Sequence, residues 1–175
     1  DLQWFVNAYT LSFASLILMA VACGDRFGRR RLFLGGVSLF TLASMLCAIS
    51  TSPQMLIMFR ALQGVGAAAI MPLSLALLTA SVPVHMRTAA IGIWGGVSGL
   101  GVAVGPLVGG AVVEGLEWSS IFWINVPFGA AVVIGVTRLV RRDPQHAIDR
   151  VDIFGSILLT SGVVCFVAGV SQAAE

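Results

Sequence analysis

Arg60 and Gln63 are the residues whose types and spacing point most directly to chemistry. Both lie in an apolar run that opens at Pro53, with Arg60 seven residues in. If that run crosses a bilayer as a helix, the guanidinium sits roughly 10 Å below the nearer surface, at a rise of about 1.5 Å per residue. A charge at that depth is costly unless it meets a partner or water, and ionisable groups so placed mark ion or substrate pathways. Leu56, Arg60, Gln63, Gly64 and Ala67 follow helical spacing and share one stripe, polar at Arg60 and Gln63 and small beyond. Two readings stay open. The stripe either lines a cavity with a proton-coupling or anion-holding arginine, or it holds a structural arginine that snorkels or ties to backbone carbonyls.

Two further groups could act on conformation. Gly24-Asp25-Arg26-Phe27-Gly28-Arg29-Arg30-Arg31 falls between two apolar runs. Four arginines there resist translocation. Asp25 is not needed for that and is free to pair with Arg29 or to cap a helix, while Gly28 permits a tight turn. The other group is glycine-rich: Gly92, Gly95, Gly96 and Gly99, then Gly101, Gly105, Gly109 and Gly110, with Pro106 among them. At about 100° per residue, Gly101, Gly105 and Gly109 fall on one side of a helix and the earlier glycines on roughly the other. Two bare faces predict close approach to two neighbours. Pro106 removes the bond to the Val102 carbonyl and predicts a bend.

Little else reads as a site. Cys23, Cys47 and Cys165 stand far apart in apolar runs, with neither metal nor disulfide spacing. His85 and His146 fall in connecting segments, and Glu114 and Glu117 at a helix end. Asn7, Thr10 and Asn125 are polar groups within helices, placed either to bond between helices or to face a cavity. No His/Asp cluster, nucleophile pair or phosphate loop is visible, so an enzyme is not expected, and neither is a cofactor or a metal. The arginines are split over short segments and form no basic face, which excludes nucleic acid as a partner.

The elements that must position these groups follow from composition. Of 175 residues, 58% are hydrophobic and 10% charged, against about 25% charged in a soluble domain. Six membrane helices are expected, at about 2–23, 32–51, 53–78, 89–113, 120–140 and 153–170, with short connections and so antiparallel neighbours. Nine of the ten basic residues, all arginine, then fall on one side: Arg26, Arg29, Arg30, Arg31, Arg87, Arg138, Arg141, Arg142 and Arg150. That side is expected to be cytoplasmic and Asp1 to be outside. Trp4 and Trp118 fall near the outer ends, where such rings prefer the headgroup level. The first helix would enter from outside, and Asp1-Leu2-Gln3-Trp4 does not read as the basic start of a signal peptide. A piece of a larger bundle is expected, with at least one helix before Asp1. None of the six expected spans contains an acid, so an acidic partner for Arg60 is expected from outside them.

Three motifs now stand in order. Asp25-Arg26-Phe27-Gly28-Arg29-Arg30-Arg31 resembles the loop signature between the second and third helices of the major facilitator superfamily. Val21 stands where that signature opens with glycine. The run Leu56 to Ala68, with Arg60, Gln63 and Gly64, resembles the fourth-helix motif. Gly101-Val102-Ala103-Val104-Gly105-Pro106-Leu107-Val108-Gly109-Gly110 resembles the fifth-helix motif of drug:proton antiporters. Gln3-Trp4, Tyr9-Thr10-Leu11 and Trp118 through Asn125-Val126-Pro127 are similar to the fourteen-helix branch of those exporters.

The resemblance implies an all-α membrane protein whose six helices are the family's second to seventh. Residues 1–140 would belong to the N-terminal transporter half, 141–152 to a cytoplasmic linker and 153–175 to an additional central helix. It implies proton-coupled export of drugs or other small amphipathic compounds across the cytoplasmic membrane, by alternating access. Arg60 and Gln63 would take part in proton coupling. Asp25, Arg26, Gly28, Arg29 and Arg30 would form a conformational switch loop. Gly101, Gly105, Pro106, Gly109 and Gly110 would seal the pathway against leak. The partners implied are a small-molecule substrate, protons, the lipid bilayer and the remaining helices of the transporter. A solute:proton symporter of the same fold is the alternative, against which the fifth-helix motif argues. A membrane sensor or enzyme is a more distant one.

Overall fold

A computed structural model describes residues 2–115 and 117–140, together with Gly162. Five long helices account for nearly all of it: α1 (Leu2–Phe27), α2 (Arg29–Ala48), α3 (Pro53–Ser81), α4 (Arg87–Gly115) and α5 (Ser120–Leu139). A 3-10 turn, Val84–Met86, joins α3 to α4. All five are long and apolar enough to cross a membrane, and among the described residues there is no strand. Lipid offers no hydrogen bonds, so a spanning chain must satisfy its backbone within each helix. The fold is an all-α membrane bundle. The expected linker 141–152 and, apart from Gly162, the expected helix 153–170, with Arg141, Arg142, His146, Arg150 and Cys165, lie outside the described residues. So do Asp1 and the side chains of Trp4 and Glu114.

The helix ends correct the sequence reading at one place. Gly24–Arg31 is not a loop: Asp25 and Arg26 belong to the last turn of α1, and Arg29, Arg30 and Arg31 to the first turn of α2. Only Gly28 lies between, with φ of 97°, a conformation open to glycine. The backbone stays bonded across it, from Gly28 N–H to the Gly24 carbonyl and from Leu32 N–H to the Gly28 carbonyl. One residue at positive φ is enough to reverse the chain, so both helices run on into the charged segment. At the other end of α2 the chain turns through Ser50 and Thr51. Ser52 then caps α3 by accepting from Met55 N–H, and Pro53 occupies the first turn, where its missing donor costs nothing.

α3 is the centre of the bundle and lies between α1 and α2. Its buried face is made of small residues: Gly64, Gly66, Ala67, Ala68 and Ala69. A Cβ on Gly66 would lie 2.7 Å from the Phe40 amide nitrogen and 2.8 Å from the Gly36 carbonyl oxygen. One on Gly64 would lie 2.5 Å from the Tyr9 carbonyl oxygen. α3 therefore meets α2 and α1 backbone to backbone, the close approach that small residues allow where lipid gives helices no hydrophobic reason to associate. Toward the arginine end Phe33, Val37, Ala69, Leu73 and Leu77 form the apolar core, with Val133 and Val136 of α5 against it.

Contacts along the helices fix their directions. Tyr9 lies by Gly64 and Gly24 by Leu73, so α1 and α3 run parallel. Gly36 lies by Gly66 and Ala69, so α2 runs against them. α5 lies along α2 with Thr41 against Gly129 and Arg30 against Thr137, again antiparallel. Trp94 Nε1 donates to Ser74 Oγ at 3.2 Å, and since both residues lie about seven positions from the helix ends, Ser81 and Arg87, that the short turn Val84–Met86 joins, α4 folds back antiparallel to α3. Arg26, Arg29, Arg30, Arg31, Arg87 and Arg138 consequently share one end of the bundle.

α4 departs from expectation. A Cβ at Gly92, Gly95, Gly96, Gly99, Gly101, Gly105, Gly109 or Gly110 would meet nothing within 4 Å. Among its described side chains only Ala90, Trp94, Gly109 and Val112 are even partly covered. The close approach expected on two faces is made by none of the described helices. Small residues permit an approach, but a partner must be there to make it.

Candidate functional site

Where α1, α2, α3 and α5 converge, polar groups are drawn together inside an otherwise apolar bundle. Arg60 Nη1 donates to Gln63 Oε1 at 2.6 Å, an i,i+3 contact on the inward face of α3. Gln63 Nε2 donates onward to Ser44 Oγ of α2 at 2.7 Å. Ser44 Oγ donates to the Phe40 carbonyl one turn back, at 2.8 Å. Asn125 Nδ2 of α5 donates to the same serine oxygen at 3.4 Å. Ser44 and Gln63 are 0% and 1% exposed. The direction of this chain follows from its end: a guanidinium only donates, so the Gln63 oxygen must face Arg60 and its nitrogen must face Ser44.

Aromatic rings frame the charge. The Arg60 guanidinium lies 4.5 Å from the centre of the Tyr9 ring and 5.9 Å from that of Phe122. Tyr9 stacks on Phe13 in turn, and Phe122 meets Trp118 edge to face. Ring faces carry negative quadrupole charge, so cation and rings attract most strongly where water is excluded. α1 supplies one ring and α5 the other, while the Gly64 crossing brings Tyr9 within reach. A guanidinium keeps its proton. Arg60 is thus a fixed positive charge that can hold an anion or favour ionisation of an acid, and it is not itself a proton carrier.

The charged end of the bundle carries a second arrangement. Of the two roles open to Asp25, the structure takes the local pair: Arg29 Nε lies 2.7 Å from Asp25 Oδ1, joining the end of α1 to the start of α2 across Gly28. Arg30 Nη2 donates to the carbonyls of Thr137 at 2.9 Å and Val136 at 3.4 Å. The Val136 carbonyl already accepts from Val140 N–H, so Arg30 adds a second donor there, and an arginine against the last turn of a helix suits the dipole. Arg26 lies over the Phe27 ring at 5.3 Å. Val21, in place of the signature's glycine, is exposed. Gly24, one turn on, makes the close contact instead, against Leu73.

The structure thus joins Arg60 to Gln63 and Asp25 to Arg29. It keeps Gly101, Gly105, Pro106, Gly109 and Gly110 of α4 apart from both groups. Asn125 proves to be an interhelical donor. Thr10 instead bonds the Val6 carbonyl of its own helix, Asn7 is exposed, and His85 is exposed in the 3-10 turn. Ser44, Tyr9 and Phe122 were missed as partners of the site. Among the described residues no cluster of His, Cys, Asp or Glu could hold a metal ion.

With this geometry, the sequence matches the Major Facilitator Superfamily over residues 1–173. The chain belongs to the Major Facilitator Superfamily. Its five long apolar helices fit the multi-pass membrane character of that family. It is 44% identical over 156 residues to the methylenomycin A resistance protein of Bacillus subtilis, covering 89% of this chain and 33% of the relative. It is 42% identical over 179 residues to a cephamycin export protein of Amycolatopsis lactamdurans, covering 100% of this chain and 37% of that one. Against the tetracenomycin C resistance and export protein of Streptomyces glaucescens it is 39% identical over 174 residues, covering 99% of this chain and 32% of the relative. The chain spans about a third of the length of these relatives.

Proposed function

We propose that this chain is part of a proton-coupled exporter of drugs or other small amphipathic compounds, working by alternating access in the cytoplasmic membrane. The observation that carries the proposal is a fixed positive charge held within the bundle by Gln63 and two aromatic rings, where four helices meet. Its support is likeness to superfamily proteins named for antibiotic resistance and export. An acidic side chain facing Arg60 from another helix of the full-length transporter would lose its proton more readily beside this charge. Movement of the helices would alter that proximity and link proton release to the change of state. Asp25 with Arg29, and Arg30 with the end of α5, would favour one conformation at the cytoplasmic side. The open glycine face of α4, with Pro106, would meet helices of the other half and seal the pathway. Residues 1–140 would belong to the N-terminal half, 141–152 would be a cytoplasmic linker and 153–175 an additional central helix.

The test replaces Arg60 in the full-length protein. Arg60→Ala is expected to abolish drug efflux driven by a pH gradient in proteoliposomes, at equal insertion. Arg60→Lys should restore little, because an ammonium is a point charge and cannot reproduce the planar fork that reaches Gln63 while covering a ring. Efflux at the wild-type rate from Arg60→Ala would remove Arg60 from the coupling mechanism.

A further inference from the structure

We propose that Ser44 is a positioning residue for Arg60, acting through Gln63; this rests on the role given above to Arg60. Ser44 lies on α2 and does not touch the guanidinium. Its hydroxyl has one proton and two lone pairs. The proton is committed to the Phe40 carbonyl at 2.8 Å, so the oxygen can only accept from the other side. Two carboxamides take up that capacity, Gln63 of α3 at 2.7 Å and Asn125 of α5 at 3.4 Å. The hydroxyl is thus fully used, and it joins three helices.

The consequence falls on Gln63. A carboxamide can present either its oxygen or its nitrogen, and the two differ little in shape. Toward Arg60 only the oxygen is acceptable, because the guanidinium has nothing but donors. Ser44 enforces that choice from the other end by offering an acceptor to the nitrogen. Gln63 is 1% exposed and Ser44 is 0% exposed, so bulk water is poorly placed to take the role of the hydroxyl. Without it, the Gln63 NH2 must find another acceptor or stay unsatisfied, and the amide turns away from the geometry that holds Arg60. The short contact to Gln63 and the longer one to Asn125 give the junction a strong and a weak arm. Movement of α5 along α2 would release the weak arm first and leave the Arg60 arm intact.

A double-mutant cycle in purified full-length protein tests this, read on thermal melting and on ethidium efflux from proteoliposomes. Ser44→Cys nearly conserves volume but replaces the hydroxyl with a weak acceptor. Gln63→Leu removes the relay. Each is expected to lower turnover about tenfold, the loss of one buried hydrogen-bond partner, with the KM for ethidium unchanged. The double variant should be no worse than Gln63→Leu alone, in turnover and in melting temperature. Wild-type melting in Ser44→Cys, or additive losses in the double variant, would overturn the inference. Arg60→Ala is the reference: if it is inactive while Ser44→Cys turns over normally, the Ser44 role falls and the Arg60 role stands. If the wild-type protein moves no ethidium but the melting losses are non-additive, Ser44 keeps its positioning role and the result counts against the export reading alone.

Discussion

One methyl group at Gly66 should disconnect the site without touching any of its residues. The Cβ of Gly66→Ala would lie 2.7 Å from the Phe40 nitrogen and 2.8 Å from the Gly36 oxygen. Both are backbone atoms, so no side chain can rotate away. Ordinary contact begins near 3.4 Å, so α2 and α3 must part by about 0.7 Å. Gln63 is one turn from Gly66 on α3, and Ser44 one turn from Phe40 on α2. The same displacement stretches the 2.7 Å bond from Gln63 to Ser44 to about 3.4 Å, the edge of a hydrogen bond. Overpacking of this kind costs about 1–3 kcal/mol, and a buried donor left poorly satisfied about 1–3 kcal/mol more. The better helix propensity of alanine returns at most about 1 kcal/mol. The net is a loss of about 1–6 kcal/mol, so the crossing outweighs propensity. Gly35→Ala is the control: its Cβ meets nothing within 4 Å, and it should be neutral or slightly stabilising. Thermal melting of the purified full-length variants checks the stability, and efflux in proteoliposomes checks the site. Gly66→Ala that melts and exports like wild type, beside a neutral Gly35→Ala, would refute the backbone crossing and the dependence of the Arg60 network on it.

Three further outcomes follow from the same contacts. Asp25→Asn should leave melting within about 0.5 kcal/mol of wild type, because the Asp25 and Arg29 side chains are 28% and 42% exposed and such pairs contribute little; export should nevertheless fall several-fold if the pair favours one conformation, and unchanged export would confine it to topology. In a cysteine-free background, a single cysteine at Ser52 should react with an impermeant thiol reagent on intact cells and one at His85 should not, since His85 is at the arginine end; the reverse pattern would invert the orientation. Gly105→Leu meets open space among the described helices but would crowd the other half across the proposed seal, so the full-length variant should lose about 1–3 kcal/mol of stability and reconstituted vesicles should leak protons; normal melting and export without leak would show that the α4 glycine face does not seal the pathway.

The difference between Gly105 and Gly66 shows what was legible in this sequence. The five described spans and the arginine end they share could be read because apolar length and charge placement act residue by residue, without knowledge of neighbours. The glycine-rich run of α4 stands out by its number of small residues, yet among the described helices the close backbone crossings are at Gly64 and Gly66, beside the Arg60 motif, where two glycines stand among alanines. Density of small residues reports how close a helix can be approached; only the bundle determines which approach is made. Gly24–Arg31 misled in a similar way, because a cluster of charges looks like a loop, whereas a single glycine at positive φ lets both helices continue through it. Ser44 left the faintest trace of all. A serine within a membrane helix satisfies itself by bonding the carbonyl four residues back, as Thr10, Ser12 and Ser15 do here, so its presence in an apolar run requires no partner. What distinguishes Ser44 is that the two lone pairs left after that bond are both used, and that depends on residues 19 and 81 positions away. Arg60 was visible because a buried charge demands an explanation from its own helix. The hydroxyl that aligns its partner could be found only once α2, α3 and α5 were side by side.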